Sequence, residues 1–137
     1  MRSLSRWVVV VPMLSLWFLG VASGQPGLTR QDRQGPVTVA LTATSPLGAE
    51  VPLKVRVALD THSVGLDDIA LESAVALRSA DGTDVPPVAV EEAQGAGHHR
   101  QAVVIFPPAT SPRLRLVVKN VGGVSERMFE WDLSTPR

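Results

Sequence analysis

The chain of 137 residues has no cysteine and no tyrosine. Without cysteine there is no disulfide, no thiolate metal site, no thioether-attached haem and no thiol redox chemistry. A lipid-modified amino terminus of the lipoprotein kind is excluded on the same chemical ground. Aromatic residues make up only 4% of the sequence. Beyond residue 24 they reduce to Phe106, Phe129 and Trp131, too few for the exposed ring platform that carbohydrate binding uses. An excess of positive charge is also missing, with 13 basic and 13 acidic side chains. Nucleic acids and anionic membrane surfaces both select a basic face, so neither is an expected partner.

The first 24 residues carry the pattern of a secretory signal. Arg2 and Arg6 give a positive start, Trp7 to Leu19 is apolar apart from Pro12 and Ser15, and Gly20, Ala22, Ser23 and Gly24 are small. Cleavage is expected before Gln25. The alternative is a retained anchor, but Trp7 to Val21 covers 15 residues, short of the roughly 20 that a spanning helix needs. No membrane span is then expected once the signal is removed, and the expected location is periplasmic or secreted. Losing Arg2 and Arg6 leaves 11 basic and 13 acidic residues in 113. A chain of that length can bury a sufficient core without disulfides.

The remainder is read as a flexible leader over 25–36, marked by Pro26, Gly27, Gly35 and Pro36, followed by one domain over 37–134. Val37 to Ala43 alternates with period two. So do Leu53, Val55, Val57 and Leu59 against Lys54, Arg56, Ala58 and Asp60, which predicts a half-buried strand. Ala74 to Ser79 leads into the hairpin signal Asp81-Gly82, with a return strand around Val85 to Glu91 interrupted by Pro86-Pro87. Glu92 to Gly97 reads as a glycine-containing loop. Ala102 to Phe106 is apolar on both faces, as in a central strand. Leu114 to Val118 and Met128 to Leu133 alternate again. About seven short strands with no good helix predict an immunoglobulin-like antiparallel β-sandwich, with a small barrel as the alternative.

Strand parity puts the polar motifs at one end. The stretch Leu59-Asp60-Thr61-His62-Ser63 ends a downward strand, and Gly97-His98-His99-Arg100 begins an upward one. All three histidines of the chain lie in these motifs. Two accounts remain open. In the first, His62, His98, His99 and Asp60 supply three nitrogens and one oxygen to a divalent transition metal such as zinc or copper. In the second, the motifs form a structural network: Asp60 and Thr61 cap a turn, a histidine packs on Trp131 or pairs with a carboxylate, and Arg100 pairs with Asp60. Paired histidines would also respond to pH near neutrality. Ser63, His62 and Asp60 contain the residue types of a hydrolytic triad, but sequence neighbours seldom reach one another in the needed order, and no nucleophile elbow is present. No catalytic activity is therefore expected. Glu91-Glu92 and Asp67-Asp68 read as solvated surface.

These two motifs, together with Gly122 to Trp131 (GGVSERMFEW), resemble those of an uncharacterised group of small exported or membrane-anchored prokaryotic proteins. The likeness runs from about Val37 to Trp131. It implies an extracytoplasmic β domain with a shared polar site, and no assigned activity. Glu126, Arg127 and Trp131 would then support that site from the last strand. The expected function is exported, non-catalytic binding, with a divalent transition metal held by the clustered histidines as the leading ligand. In the alternative, an interaction or accessory module, the histidine loops are structural.

Overall fold

Leu53, Val55, Val57 and Leu59 are buried to 3% exposure or less, while Lys54, Arg56 and Asp60 between them face solvent. The period of two thus becomes one face of a nine-residue strand. The structure, a computed structural model, describes residues 28–134. In chain order the described strands are β1 Thr29–Asp32, β2 Val37–Ala43, β3 Leu53–Thr61, β4 Val75–Arg78, β5 Asp84–Val85, β6 Ala89–Ala96, β7 His99–Phe106, β8 Arg113–Val121 and β9 Val124–Asp132. One helical turn, α1 Leu71–Ala74, precedes β4.

The strands form two antiparallel sheets, ordered β1-β2-β3-β7-β6 and β5-β4-β8-β9. Their inward faces share one apolar core. It contains Val37, Val39 and Leu41 of β2, Val104 and Phe106 of β7, Leu116 and Val118 of β8, and Phe129 and Trp131 of β9. The sequence that reads as apolar on both faces is β7, which lies between β3 and β6 with its last five residues buried. The architecture is an all-β sandwich, as the alternation and spacing predict, but with nine described strands in place of about seven.

Three segments differ from the sequence expectation. Thr29–Asp32, within the segment read as a flexible leader, is β1, and it pairs with β2 from Thr29↔Thr42 to Asp32↔Val39. Its mostly polar sequence hides it, because an edge strand need bury little. The expected return strand around Val85 to Glu91 is two strands in different sheets. β5 ends at Val85, and the chain crosses past Pro86-Pro87 to begin β6. Prolines lack the N–H that an uninterrupted ladder would use. The stretch Glu92 to Ala96, read as loop, belongs to β6. Its ladder with β7 breaks between Glu91 and Gln94, where Glu92 takes a φ of 52°, and resumes at Gln94↔Gln101. A bulge of this kind disguises a strand as a loop. The signal segment over 1–24 lies outside the described residues. Among the described residues, no helix is long and apolar enough to cross a membrane.

Candidate functional site

Residues at the end of β3 and the start of β7 are cross-strand neighbours, with Leu59 opposite Arg100 and Asp60 opposite His99. Partners in an antiparallel ladder share a face. Asp60 and His99 therefore both point to solvent, and Arg100 follows Leu59 inward to the rim of the core. The Asp60 carboxylate accepts from His99 Nδ1, which places the imidazole proton on that nitrogen. Their side chains are 52% and 58% exposed. At that exposure the pair orients the ring but contributes little stability.

His98 sits at the tip of the β6–β7 hairpin. Ala96 pairs with His99 across the two-residue turn Gly97-His98, and Gly97 has a φ of 66°. Glycine at the first central position meets the demand of such a turn for positive φ. The tip is tied to the loop that follows β3. Thr61 N–H donates to His98 O at 3.0 Å, and Leu66 N–H donates to Gly97 O at 2.9 Å. Gly97 N–H donates to Asp67 Oδ1 at 2.8 Å. One guanidinium nitrogen of Arg100 donates to Leu66 O at 2.8 Å and to Ile69 O at 2.7 Å. Thr61, 5% exposed, reaches Pro36 O with its hydroxyl and accepts from the amides of Ser63 and Val64.

Parity thus brings the two motifs together as expected, but through main-chain bonds more than through imidazoles. The His62 and His98 side chains are exposed. Neither has a hydrogen-bond partner among the described residues. Also among the described residues, no group of three or more histidine, aspartate or glutamate side chains is placed to hold a metal ion. Of the four candidate ligands, Asp60 and His99 are joined, while His62 and His98 are not drawn to them. Arg100 departs from its expected pairing with Asp60, because its inward register position aims it at the loop carbonyls. Asp67 is exposed, as its reading as solvated surface expects, and in addition accepts the Gly97 amide. Short acidic side chains that accept from turn amides are common in loops, but nothing in the local sequence identifies Gly97 as the donor.

The three expected supports from β9 separate. Arg127 is 1% exposed and lies at the same end of the sandwich. It donates to Val121 O at 2.7 Å, to Gln34 O at 2.7 Å, to Val37 O at 3.3 Å and to Asp32 Oδ1 at 3.0 Å. It closes the core there by tying the β1–β2 and β8–β9 turns together, without touching a histidine. Burial raises the Asp32 pKa, but hydrogen bonds from Gln34 and Arg127 outweigh it and hold the carboxyl below its ordinary value. Glu126 lies on the outer face of the other sheet and is bonded twice by Arg78, at 2.7 and 2.9 Å. Arg78 also holds Asp84 at 2.8 and 3.0 Å, and Lys119 bonds Asp84 as well. Those bonds keep the Asp84 carboxyl far below the usual carboxylate range. Trp131 is at the opposite end, 1% exposed, with its indole N–H donating to Leu28 O at 3.1 Å and Arg30 over its ring at 5.6 Å. It packs against no histidine loop.

The fold and site therefore define an antiparallel β-sandwich with one end closed by arginine-to-carbonyl bonds beneath two exposed histidines. Comparison of the chain with family models, with curated proteins and with solved structures returns no match.

Proposed function

We propose that the protein is an exported, immunoglobulin-like, non-catalytic domain that binds a protein partner through the end bearing His62 and His98. The strand order supports the immunoglobulin-like assignment. With β2 taken as strand A, the sheets follow A-B-E-D and C′-C-F-G, the order of that fold. In the same correspondence the β3–β4 loop is the B–C loop and the β8–β9 turn is the F–G loop, two of the three recognition loops of variable domains. The observation that carries the proposal is the pinned backbone beneath exposed side chains. The end of β3 and loop 62–70 are bonded to the hairpin tip at Thr61, Leu66 and Asp67 and to β7 through Arg100, while the side chains of His62 and His98 project unbonded to solvent. A rim already held in one conformation gives up little entropy on binding.

Zinc or copper binding by His62, His98, His99 and Asp60 has less support, because two of the four side chains stand apart. Calorimetric titration of the protein with each ion, beside a His62→Ala/His98→Ala variant, separates the two accounts. The expected result is no site tighter than about 10 μM, or about −6.8 kcal/mol. A partner recovered from the extracytoplasmic fraction should bind saturably, and His62→Glu/His98→Glu should abolish that binding with unchanged thermal stability. A tight metal site lost in the alanine variant would overturn the proposal, as would a partner indifferent to the glutamates.

A further inference from the structure

A second candidate site lies on the other sheet, where the end of β4 faces the β7–β8 loop. A cavity of about 200 Å³ opens there. Arg78, Arg113 and Arg115 are among its lining residues, which include no aspartate or glutamate. Leu77, Pro108, Ala109 and Leu114 supply an apolar wall.

The three arginines are not equally satisfied. Arg78 is engaged by both Asp84 and Glu126. Arg113 makes longer ion pairs with Glu130 at 3.5 Å and with Asp132 at 3.8 Å. Arg115 stands directly across from Arg78 on one side and from Glu130 on the other. Its own acidic neighbour is taken by Arg113, and like charges opposite each other in a ladder repel. The Nε of Arg115 is buried and has no hydrogen-bond partner among the described residues. A buried charged donor without an acceptor is costly, and native proteins seldom leave one so.

We propose that this cavity binds a small organic anion, a carboxylate with a short aliphatic body. The carboxylate would bond the Arg115 guanidinium, whose planar fork suits that group. The aliphatic body would lie along Leu77, Pro108 and Ala109. The cavity is smaller than the roughly 300 Å³ at which drug-sized pockets begin, so the ligand is a short chain. This site is remote from the histidine end and does not depend on the function proposed for it.

The test uses hexanoate, acetate and neutral hexanol, read through the Arg115 Nε–H resonance in nitrogen–proton correlation spectra. Hexanoate should shift that resonance saturably with a Kd below about 1 mM and bind at least about tenfold tighter than acetate, with no saturable shift from hexanol. Arg115→Met should lose at least about tenfold in affinity. Ala109→Trp, which fills the cavity and leaves every charge in place, should lose binding too, so the test survives if one variant fails to fold. Hexanol or acetate binding as tightly as hexanoate would overturn the proposal. So would unchanged hexanoate affinity in either folded variant, or no saturation at about 10 mM.

Discussion

Along the inward faces of β7 and β9, Arg100 and Arg127 stand at one end of the sandwich, and Phe106 and Trp131 stand at the other. The aromatic end is closed by area: Phe106 is 0% exposed and Trp131 1%. The arginine end is closed by donors. Arg100 and Arg127 together bond five loop or strand carbonyls and one carboxylate. An aromatic plug seals whatever surrounds it and asks little of neighbouring backbone. A guanidinium specifies which carbonyls lie where. The second kind of closure suits an end whose loops must hold a set shape while their side chains remain free.

The largest effect should come from the buried arginine. Arg127→Met removes the donor to three carbonyls and takes the cationic partner from Asp32, so it should cost about 3–5 kcal/mol in chemical denaturation. Trp131→Ala should cost a similar amount, about 3–5 kcal/mol, by a cavity mechanism. Hydrogen exchange distinguishes them. Arg127→Met should raise exchange across the β1–β2 and β8–β9 turns, and Trp131→Ala should leave those turns protected. Equal loosening of both ends in both variants would dissolve the contrast. Arg100→Met should cost about 1–3 kcal/mol and speed exchange of the Leu66 amide, because the Leu66 and Ile69 carbonyls lose their guanidinium donor.

Acid should find the arginine end before the core of the aromatic one. The Asp32 pKa is lowered in the folded state. Its stabilising contribution is therefore full above the unfolded value near 4 and is lost as pH falls through the lower folded value. Stability measured from pH 5 downward should decline through this range, and Asp32→Asn should flatten the decline. The smallest change should follow His99→Ala. The exposed Asp60–His99 pair should account for less than about 1 kcal/mol, and a larger loss would mean that the imidazole holds more than its carboxylate partner.

Much of the frame is legible in the chain. Alternation locates β2, β3, β8 and β9, the double-sided apolar run locates β7, and parity brings Asp60 to His99. The hidden parts have physical reasons. Thr29–Asp32 is polar because an edge strand can afford to be, and Glu92 to Gly97 carries bulge residues that look like loop residues. The carbonyl-bonding roles of Arg100 and Arg127 are the least legible part, although register marks both residues. Continuing the alternation of Trp131 and Phe129 backward lands on Arg127, and continuing Phe106, Val104 and Ala102 lands on Arg100. A charge at an inward position reads as an error in the pattern until the carbonyls of distant loops arrive to meet it. The arginine cavity is not legible because its walls come from two segments, 77–80 and 108–115, far apart in sequence.

The interruption in β6 has a consequence for crowded solution. That strand is one of the two edges of the five-stranded sheet, and its ladder is broken between Glu91 and Gln94. A second molecule attempting to extend the sheet would meet three residues in register ending at the exposed Glu91, then the exposed, left-handed Glu92 and Ala93, then three more in register. Neither fragment is long enough to template a stable strand, and the acidic pair repels an identical copy. The bulge therefore opposes growth of the sheet at this edge, where a flat, uninterrupted strand would invite it.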